Sequence, residues 1–370
     1  MKVAIIHDWL TTLGGSERVV WALHEMFPGA PVFTSVHRRG LLPRPFEELD
    51  VRTSFLQRLP GSTRLYPRLL PLMPLAFEQF DLSEFDLVIS SSHACAKGVI
   101  TRPDQVHVSY VHAPMRYAWD LTHAYQRSLP APLRPAAAML LSGLRQWDVL
   151  SANRVDAFVA NSREVAGRIR KHYRREATVV HPPVDVDRFE VLPASHVGDH
   201  LVVLSRLVPY KRVDLCIEAA NRTGRRLRVI GDGPLYRDLR AQAGPTVTFL
   251  GNLPDQAVAR ELAGASALLF AAFEDFGIVP VEAMACGRPV IALGHGGVRD
   301  TVLDGVTGTW FDEPRLESLV AALERHDRFE WDPAQIRTHA ERFSPAAFRR
   351  GMQAVIDGAL AREVGEVTLV

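Results

Sequence analysis

The chain has 370 residues, of which 47% are hydrophobic and 23% charged, and a formal net charge of +1; this length and composition predict two globular domains with ample core. The balanced charge argues against a protein that coats nucleic acid, so no nucleic-acid partner is expected, and no run approaches the roughly 20 apolar residues of a membrane span. The 3 cysteines are scattered without metal or disulfide spacing, and residues 1–9 are too short for a signal peptide, which together predict a protein of the reducing cytoplasm.

The first elements predict a parallel sheet with a ligand-binding edge. Residues 2–6 form a buried strand, and a turn with Gly14 and Gly15 leads into a helix over 17–27. Glycines at a strand-to-helix turn let a ligand approach the backbone, and the helix N-terminus favours an anion. The Gly-x-Gly-x-x-Gly pattern is absent and the strand over 31–36 does not end in an acid, which argues against a nicotinamide enzyme.

Residues 51–77 differ in character from the rest of the chain. They hold Arg52, Arg58, Arg64 and Arg68, many leucines and no acid. Such a segment suits an anionic lipid surface, but its prolines forbid one long amphipathic helix and its leucines could simply pack on the first domain. A basic helix over 163–175 would favour the lipid surface if it lies on the same side.

Strands over 87–91, 106–111, 157–160 and 178–181 alternate with helices, which indicates a doubly wound parallel sheet. His112 follows the strand 106–111 at the edge where ligands bind in such sheets. A histidine at a strand end is most often only a hydrogen-bonded structural residue, so its position alone carries little weight.

A proline-containing stretch over 182–200 reads as an exit loop and linker, after which strands and helices alternate again. We therefore predict a first domain over 1–192, a second over 193–344, and a terminal segment over 345–370 whose helix crosses back to the first domain. Two Rossmann-like halves joined in this way place a ligand cleft between them.

Two cations occur at the start of the second domain. Arg206 ends an apolar strand, and Lys211 opens the next helix. A lysine at a helix N-terminus opposes the helix dipole, a cost that makes sense if an anion lies between the two side chains. Alone, each could be a solvated surface cation, but their spacing across a strand–helix turn predicts a phosphate site.

The most informative stretch is 265–293, which reads as strand, loop, short helix and strand. Glu274 leaves the carboxyl end of the first strand, and Glu282 follows near the start of the helix. Singly, Glu274 could be a solvated loop residue and Glu282 a first-turn acid favoured by the dipole. Together they predict two carboxylates beside one crevice.

These segments resemble the motifs of the retaining glycosyltransferases of family four. Residues 274–292 resemble the family's Glu-x7-Glu signature, 205–212 its diphosphate-binding segment and 110–116 its acceptor-half motif. Ser205 stands where the family often has glycine, a small departure. The resemblance implies an α/β protein of the GT-B fold, with two Rossmann-like, doubly wound parallel-sheet domains that face each other across a cleft.

Carried over position by position, the resemblance implies two sets of site residues. The catalytic set is Glu274 beside the donor sugar, His112 in contact with the transferred sugar, and Arg206 and Lys211 on the diphosphate. The donor-binding set is Gly15, Arg206, Lys211, Phe276, Gly277, Ile278, Val279 and Glu282, with Glu282 on the ribose. No metal is expected, because no Asp-x-Asp pair lies at a strand edge and the two cations replace it.

Residues 5–18 look closest to a bacterial branch of the family that builds O-antigen and exopolysaccharide. The resemblance implies a metal-independent retaining hexosyltransferase that moves mannose from GDP-mannose to a polyprenyl-diphosphate-linked saccharide, on the inner face of the plasma membrane. No residue pattern identifies guanine. Glu274 could act as a nucleophile, but the family resemblance instead suggests front-face displacement.

Two other functions fit the same fold. A non-catalytic nucleotide-sugar-binding subunit could dispense with several of the site residues, all of which are present here. A sugar-nucleotide epimerase would use the same cleft for a different reaction. Release of free nucleoside diphosphate in the presence of donor and acceptor distinguishes the three.

Overall fold

A computed structural model describes residues 1–367 and divides the chain into two compact units. The first unit contains residues 1–183 together with the chain from residue 348, and the second contains residues 184–347. Residues 368–370 of the predicted terminal segment lie outside the described residues. Each unit is built on one parallel sheet, and the two are described separately.

The sheet of the first unit has the strand order β3-β2-β1-β4-β5-β6-β7, with every pair parallel. The strands between its two edge strands are buried along their whole length because helices cover both faces. They are β1 (Val3–His7), β2 (Val32–Thr34), β3 (Val51–Thr53), β4 (Leu87–Ser92), β5 (Val106–Val111), β6 (Ala157–Ala160) and β7 (Ala177–Val179).

The helices of the first unit enclose two apolar layers, one on each face of the sheet. The chain-order helices are α1 (Gly15–Met26), α2 (Arg44–Glu47), α3 (Ser62–Leu65), α4 (Met73–Glu78), α5 (Thr122–Ser128), α6 (Arg134–Ala152) and α7 (Arg163–Tyr173). The ion pair of Lys97 with Asp148 is buried: Lys97 Nζ lies 2.9 Å from Asp148 Oδ1. It ties the loop after β4 to α6.

The second unit has the strand order β10-β9-β8-β11-β12-β13, again all parallel. Its strands are β8 (Leu201–Leu204), β9 (Leu227–Ile230), β10 (Val247–Gly251), β11 (Ala267–Phe270), β12 (Val290–Leu293) and β13 (Gly308–Phe311). Its helices are α8 (Val213–Thr223), α9 (Tyr236–Gln242), α10 (Asp255–Gly264), α11 (Ile278–Ala285), α12 (Val298–Thr301), α13 (Leu316–His326) and α14 (Pro333–Ala340).

The predicted linker over 182–200 is wrong for its first part. Val184, Val186 and Phe189 are buried in the core of the second unit, where they pack with residues of β11 and α11. The units divide between Pro183 and Val184, earlier than the predicted boundary after residue 192. The segment includes a short 3₁₀ turn, Val186–Arg188, which lets its apolar side chains enter the core without a full helix or strand.

The last helix, α15 (Pro345–Val367), occupies the predicted terminal segment over 345–370 as far as the structure describes it. Its buried side chains Phe348, Met352 and Ile356 belong to the apolar layer that also contains Val106 and Tyr110 of β5. This part of the helix therefore packs on the first unit.

Candidate functional site

A cavity of about 490 Å³ opens at the carboxyl ends of β8, β9 and β10 in the second unit. Its size falls within the range of small-molecule sites, and this edge of a parallel sheet is where such ligands bind. The lining residues are Leu204, Ser205, Arg206, Lys211, Gly231, Asp232, Asn252 and Val279. Three of them, Arg206, Lys211 and Val279, belong to the predicted donor site.

The backbone that forms this cavity packs very closely. A Cβ added at Gly231, which has a φ of +124°, would lie 1.9 Å from the carbonyl oxygen of Ser205. The N–H of Leu207 donates to the carbonyl of Asp232 at 2.9 Å. Only glycine can take that conformation at that distance, so the loops after β8 and β9 form one rigid wall. Gly231, Asp232 and Asn252 were not among the predicted site residues, although the Gly-Asp-Gly turn after a strand was a usable signal.

Arg206 and Lys211 are held differently. Arg206 is exposed, and within the described residues 1–367 its side chain has no hydrogen bond or ion pair. Lys211 lies in a 3₁₀ turn, Pro209–Lys211, rather than in the helix, because Arg212 adopts a left-handed conformation at φ 50° before α8 begins at Val213. The predicted helix start at Lys211 is therefore wrong by two residues, but the cation still precedes a helix N-terminus.

Glu274 is brought to Lys211, with which it forms an ion pair. Both side chains are about four-fifths buried, at 17% and 20% exposed. Glu274 belongs to the loop after β11, and the pair Gly296-Gly297 packs against the backbone of this loop. The N–H of Gly297 donates to the carbonyl of Glu274 at 2.9 Å, and a Cβ at Gly296 would lie 2.4 Å from the same oxygen. This pair was missed in the sequence.

Residues 276–279 turn from this loop into α11. Gly277 has a φ of +88°, a left-handed conformation that glycine adopts without strain, and precedes the first helical residue, Ile278. Phe276 is buried and packs edge-on against Phe343 at 5.7 Å. This turn fixes the direction of the first N–H groups of α11, as an anion site at a helix N-terminus requires.

Glu282 lies in α11 and its side chain is 7% exposed. Its Oε1 is 3.6 Å from Nη2 of Arg188, whose Nη1 also donates to Asp255 at 2.6 Å. Glu282 does not line the cavity described above. Its burial beside a cation shows a carboxylate held in a fixed position, which suits either a structural ion pair or a hydrogen-bond acceptor for a ligand.

Gly15 and His112 belong to the first unit. Gly15 is the first residue of α1, and the preceding N–H, that of Gly14, donates to Glu17 Oε2 at 2.8 Å. Burial alone would raise the pKa of Glu17, but its contact with His7 outweighs that effect and leaves the pKa below its ordinary value. The Glu17 carboxylate therefore occupies part of the anion-favouring end of α1.

His112 follows β5 and lies among two other histidines at the carboxyl edge of the sheet, His7 and His93. The ring centroid of His93 lies 5.9 Å from that of His7 and 6.0 Å from that of His112. Burial, helped by the two neighbouring histidines, holds the pKa of His112 well below its usual range. His112 is therefore a neutral imidazole at physiological pH, with one N–H and one acceptor nitrogen.

Asp8 fixes the loop that carries His93. Its two carboxylate oxygens accept four consecutive backbone N–H groups, those of residues 93–96, at 2.6 to 3.0 Å. Asp8 is fully buried. A carboxylate satisfied in this way orders the backbone after β4, so the histidine cluster is held by main-chain geometry.

One face of the first unit carries two basic segments without acids. In 51–77, Arg58, Arg64 and Arg68 are exposed, whereas Arg52 is ion-paired with Asp50 and Glu84. Between Asp120 and Asp148 the chain again has no acid. The stretch from the end of α5 through the first turns of α6 exposes apolar side chains, among them Leu133 at 55% and Met139 at 77%.

Both segments cover the same face of the sheet as α7. Ile6 packs with side chains of residues 51–77 and of α6, while Phe158 packs with α7. Ile6 and Phe158 lie in one register row through Ser90 and Ser109. Paired residues of neighbouring strands point to the same face. The basic helix is therefore on the same side of the sheet as the segment 51–77.

Within residues 1–367, no group of three or more His, Cys, Asp or Glu side chains is placed to hold a metal ion. No helix in that range combines the length and the apolar composition needed to cross a membrane.

Comparison with known proteins finds two family models along the chain. Residues 13–188 match "Glycosyltransferase Family 4", and residues 189–342 match "Glycosyl transferases group 1". The chain is 32% identical over 201 residues to a GDP-mannose-dependent alpha-(1-6)-phosphatidylinositol monomannoside mannosyltransferase of Mycolicibacterium smegmatis, which covers 46% of this chain and 53% of the relative. It is 30% identical over 230 residues to a D-inositol 3-phosphate glycosyltransferase of Geodermatophilus obscurus, which covers 51% of this chain and 49% of the relative.

The matched segments thus span about half the length of these curated relatives. Among solved structures, Anabaena Alr3699/HepE in complex with UDP superposes with a TM-score of 0.71 at 19% identity, covering 97% of this chain and 100% of that one. A likeness at this identity bears on the fold. With the two parallel-sheet units it confirms the predicted α/β fold of the GT-B class.

Proposed function

The chain carries a family 4 glycosyltransferase domain followed by a group 1 glycosyltransferase domain, and from this premise we propose that it is a retaining hexosyltransferase. It would move mannose from GDP-mannose to a polyprenyl-diphosphate-linked saccharide in the synthesis of a bacterial surface polysaccharide. The mannose donor is supported by the Mycolicibacterium smegmatis relative, whose name gives GDP-mannose as its donor.

The observation that carries the proposal is the cation-lined cavity of the second unit. Arg206 and Lys211 both line it, at the carboxyl ends of parallel strands and before a helix N-terminus. Arg206 supplies a planar fork for phosphate oxygens and Lys211 a mobile point charge. This arrangement fits the diphosphate of a nucleotide sugar, with Phe276, Gly277, Ile278 and Val279 at the N-terminus of α11 as further donors.

In the proposed reaction the bond between the sugar anomeric carbon and the diphosphate oxygen breaks. A bond from the acceptor hydroxyl forms on the same face, and the hydroxyl proton passes to the departing diphosphate. Arg206 and Lys211 stabilise the negative charge that develops on the leaving group, and such preorganised charges are usually the largest catalytic contribution. Glu274 orients the sugar and Glu282 binds the ribose. The residues present supply this chemistry without a metal.

The proposed acceptor is lipid-linked, so the first unit would dock on an anionic membrane surface. The support is the face that carries the segments 51–77 and 121–147 and the helix α7. Its exposed arginines match anionic headgroups, at about 1 kcal/mol for each basic residue near the surface. Its exposed leucines and Met139 suit the boundary between headgroups and acyl chains.

The test is a transfer assay with a panel of nucleotide sugars and a polyprenyl-diphosphate-linked saccharide. We expect nucleoside diphosphate release that depends on the acceptor, sugar label in the lipid fraction, and the donor's anomeric configuration in the product. Binding of donor without release would indicate a non-catalytic subunit. Inversion of one carbon of the donor's sugar, without transfer to the acceptor, would indicate an epimerase.

A further inference from the structure

A line of polar contacts runs behind His112 in the first unit. Nε2 of His112 lies 2.8 Å from Oγ of Ser91. Nδ1 of His7 lies 3.2 Å from the same Oγ and 3.1 Å from the carbonyl oxygen of Ser91. Both His7 and Ser91 are fully buried. The three residues come from β1, β4 and the end of β5, three neighbouring strands of the sheet.

The chemistry of these atoms decides where the protons lie. A carbonyl oxygen only accepts hydrogen bonds, so Nδ1 of His7 must carry a proton to face the Ser91 carbonyl at 3.1 Å. The Ser91 hydroxyl then cannot donate to that nitrogen. Within residues 1–367 the other polar contact of this hydroxyl is with Nε2 of His112, to which it donates. A neutral imidazole that accepts at Nε2 carries its proton on Nδ1.

We propose that Ser91 and His7 are positioning residues that hold His112 in the tautomer with its proton on Nδ1. The role for the sugar rests on the proposed function above. In that function His112 donates a hydrogen bond from Nδ1 to a hydroxyl oxygen of the transferred hexose, and it does not accept a proton there. Within the described residues, Nδ1 of His112 has no hydrogen-bond partner.

Glu17 extends the line to the start of α1. Its Oε1 lies 3.6 Å from Nε2 of His7, and its Oε2 accepts from Gly14 N–H at 2.8 Å. The glycine turn before α1 and the imidazole of His112 are thereby connected through Glu17, His7 and Ser91.

The direct test is the ¹⁵N spectrum of histidine-labelled protein, with the His112 signals assigned from a His112→Gln variant. We expect a pyrrole-type signal for Nδ1 and a pyridine-type signal for Nε2 of His112 in the wild type. Ser91→Ala should release this preference. His7→Asn, whose amide N–H can take the place of Nδ1–H, should keep it, whereas His7→Leu should lose it.

Activity gives the second measurement. Ser91→Ala should lower kcat about tenfold, the loss of one hydrogen bond of typical strength, and leave nucleoside diphosphate binding unchanged in calorimetry. Bound nucleoside diphosphate also reports that the variant is folded. A pyrrole-type Nε2 in the wild type, or an unchanged tautomer in Ser91→Ala, would overturn the positioning role. The expected tautomers in a protein that transfers no sugar would overturn the proposed function alone.

Discussion

Lys211 and Glu274 form an ion pair that joins the turn after β8 to the loop after β11. The two strands are neighbours in the second sheet, so their carboxyl ends open on the same edge. A diphosphate at this edge would compete with Glu274 for the lysine. Donor binding would therefore free the Glu274 carboxylate at the position proposed for the sugar, which couples the two steps through one cation.

The first prediction follows from this pair. Lys211→Ala should reduce kcat/KM about a hundredfold or more, because it removes one preorganised charge from the leaving group. The change also leaves the Glu274 carboxylate, about four-fifths buried, without its cation. The melting temperature should therefore fall, and kcat/KM is measured below it. The matched control is Arg222→Ala, which removes an exposed cation from the far end of α8. Near-wild-type kcat/KM in Lys211→Ala would remove the diphosphate role.

The second prediction separates Glu282 from Glu274. Glu282→Ala should raise the Kd of nucleoside diphosphate and of the full donor about tenfold or more, the loss of a hydrogen bond to a charged group. Glu274→Ala should affect the sugar-bearing donor and kcat, with little change in diphosphate affinity. Isothermal calorimetry measures both. An unchanged diphosphate Kd in Glu282→Ala would leave this residue only its ion pair with Arg188.

The strands buried on both faces could be predicted closely from the sequence. β5, β6 and β9 begin and end where their apolar runs do. A strand covered by helices on both faces must be apolar over its buried length, so its bounds can be seen in the sequence. β3 was not predicted, since Arg52 and Thr53 are exposed on this edge strand and its apolar character is weak. The loop over 184–189 was taken for a linker because nothing local shows that its valines enter a core.

The candidate site likewise has residues that the sequence predicts and contacts that it does not. Arg206 and Lys211 stand at a strand end and a turn that the sequence itself marks, and the structure has both at one cavity. Gly297 supports the Glu274 loop from beyond β12, a contact that depends on how two distant turns stack. The Ser91 contact to His112 depends on strand order. Neither could be derived from spacing along one chain.

The third prediction concerns pH. Burial lowers the pKa of His107 from 6.5 to about 3, and its Nε2 lies 2.9 Å from Ser90 Oγ. The unfolded chain binds this proton below about pH 6.5 and the folded chain does not, so stability is lost as the pH falls. Between pH 7 and 5 the group should contribute a loss of about 2 kcal/mol.

His107→Gln should remove that contribution, and its free energy of unfolding in urea should fall less steeply between pH 7 and 5 than that of the wild type. His123→Gln changes an exposed histidine of the same unit and should follow the wild-type curve. Parallel curves for wild type and His107→Gln would show that His107 is protonated in the folded protein.

The last prediction concerns the basic face of the first unit. Wild-type protein should sediment with phosphatidylglycerol-containing vesicles at low salt and much less at high salt, while pure phosphatidylcholine vesicles should bind it weakly. An Arg58/Arg64/Arg68→Glu variant should lose the anionic binding. The same charge change at Arg222/Arg237/Arg240, on the second unit, is the matched control.

Insertion of the first turns of α6 into the membrane interface can be measured separately. The cysteines Cys95, Cys216 and Cys286 are all buried, so Met139→Cys adds one exposed site for an environment-sensitive fluorophore. Its emission should shift to the blue and rise with anionic vesicles if this side chain enters the interface. Co-sedimentation without such a shift would restrict docking to the arginines of 51–77 and α7. No preference for anionic vesicles at low salt, or full binding by the Arg58/Arg64/Arg68→Glu variant, would remove membrane docking from the proposed function.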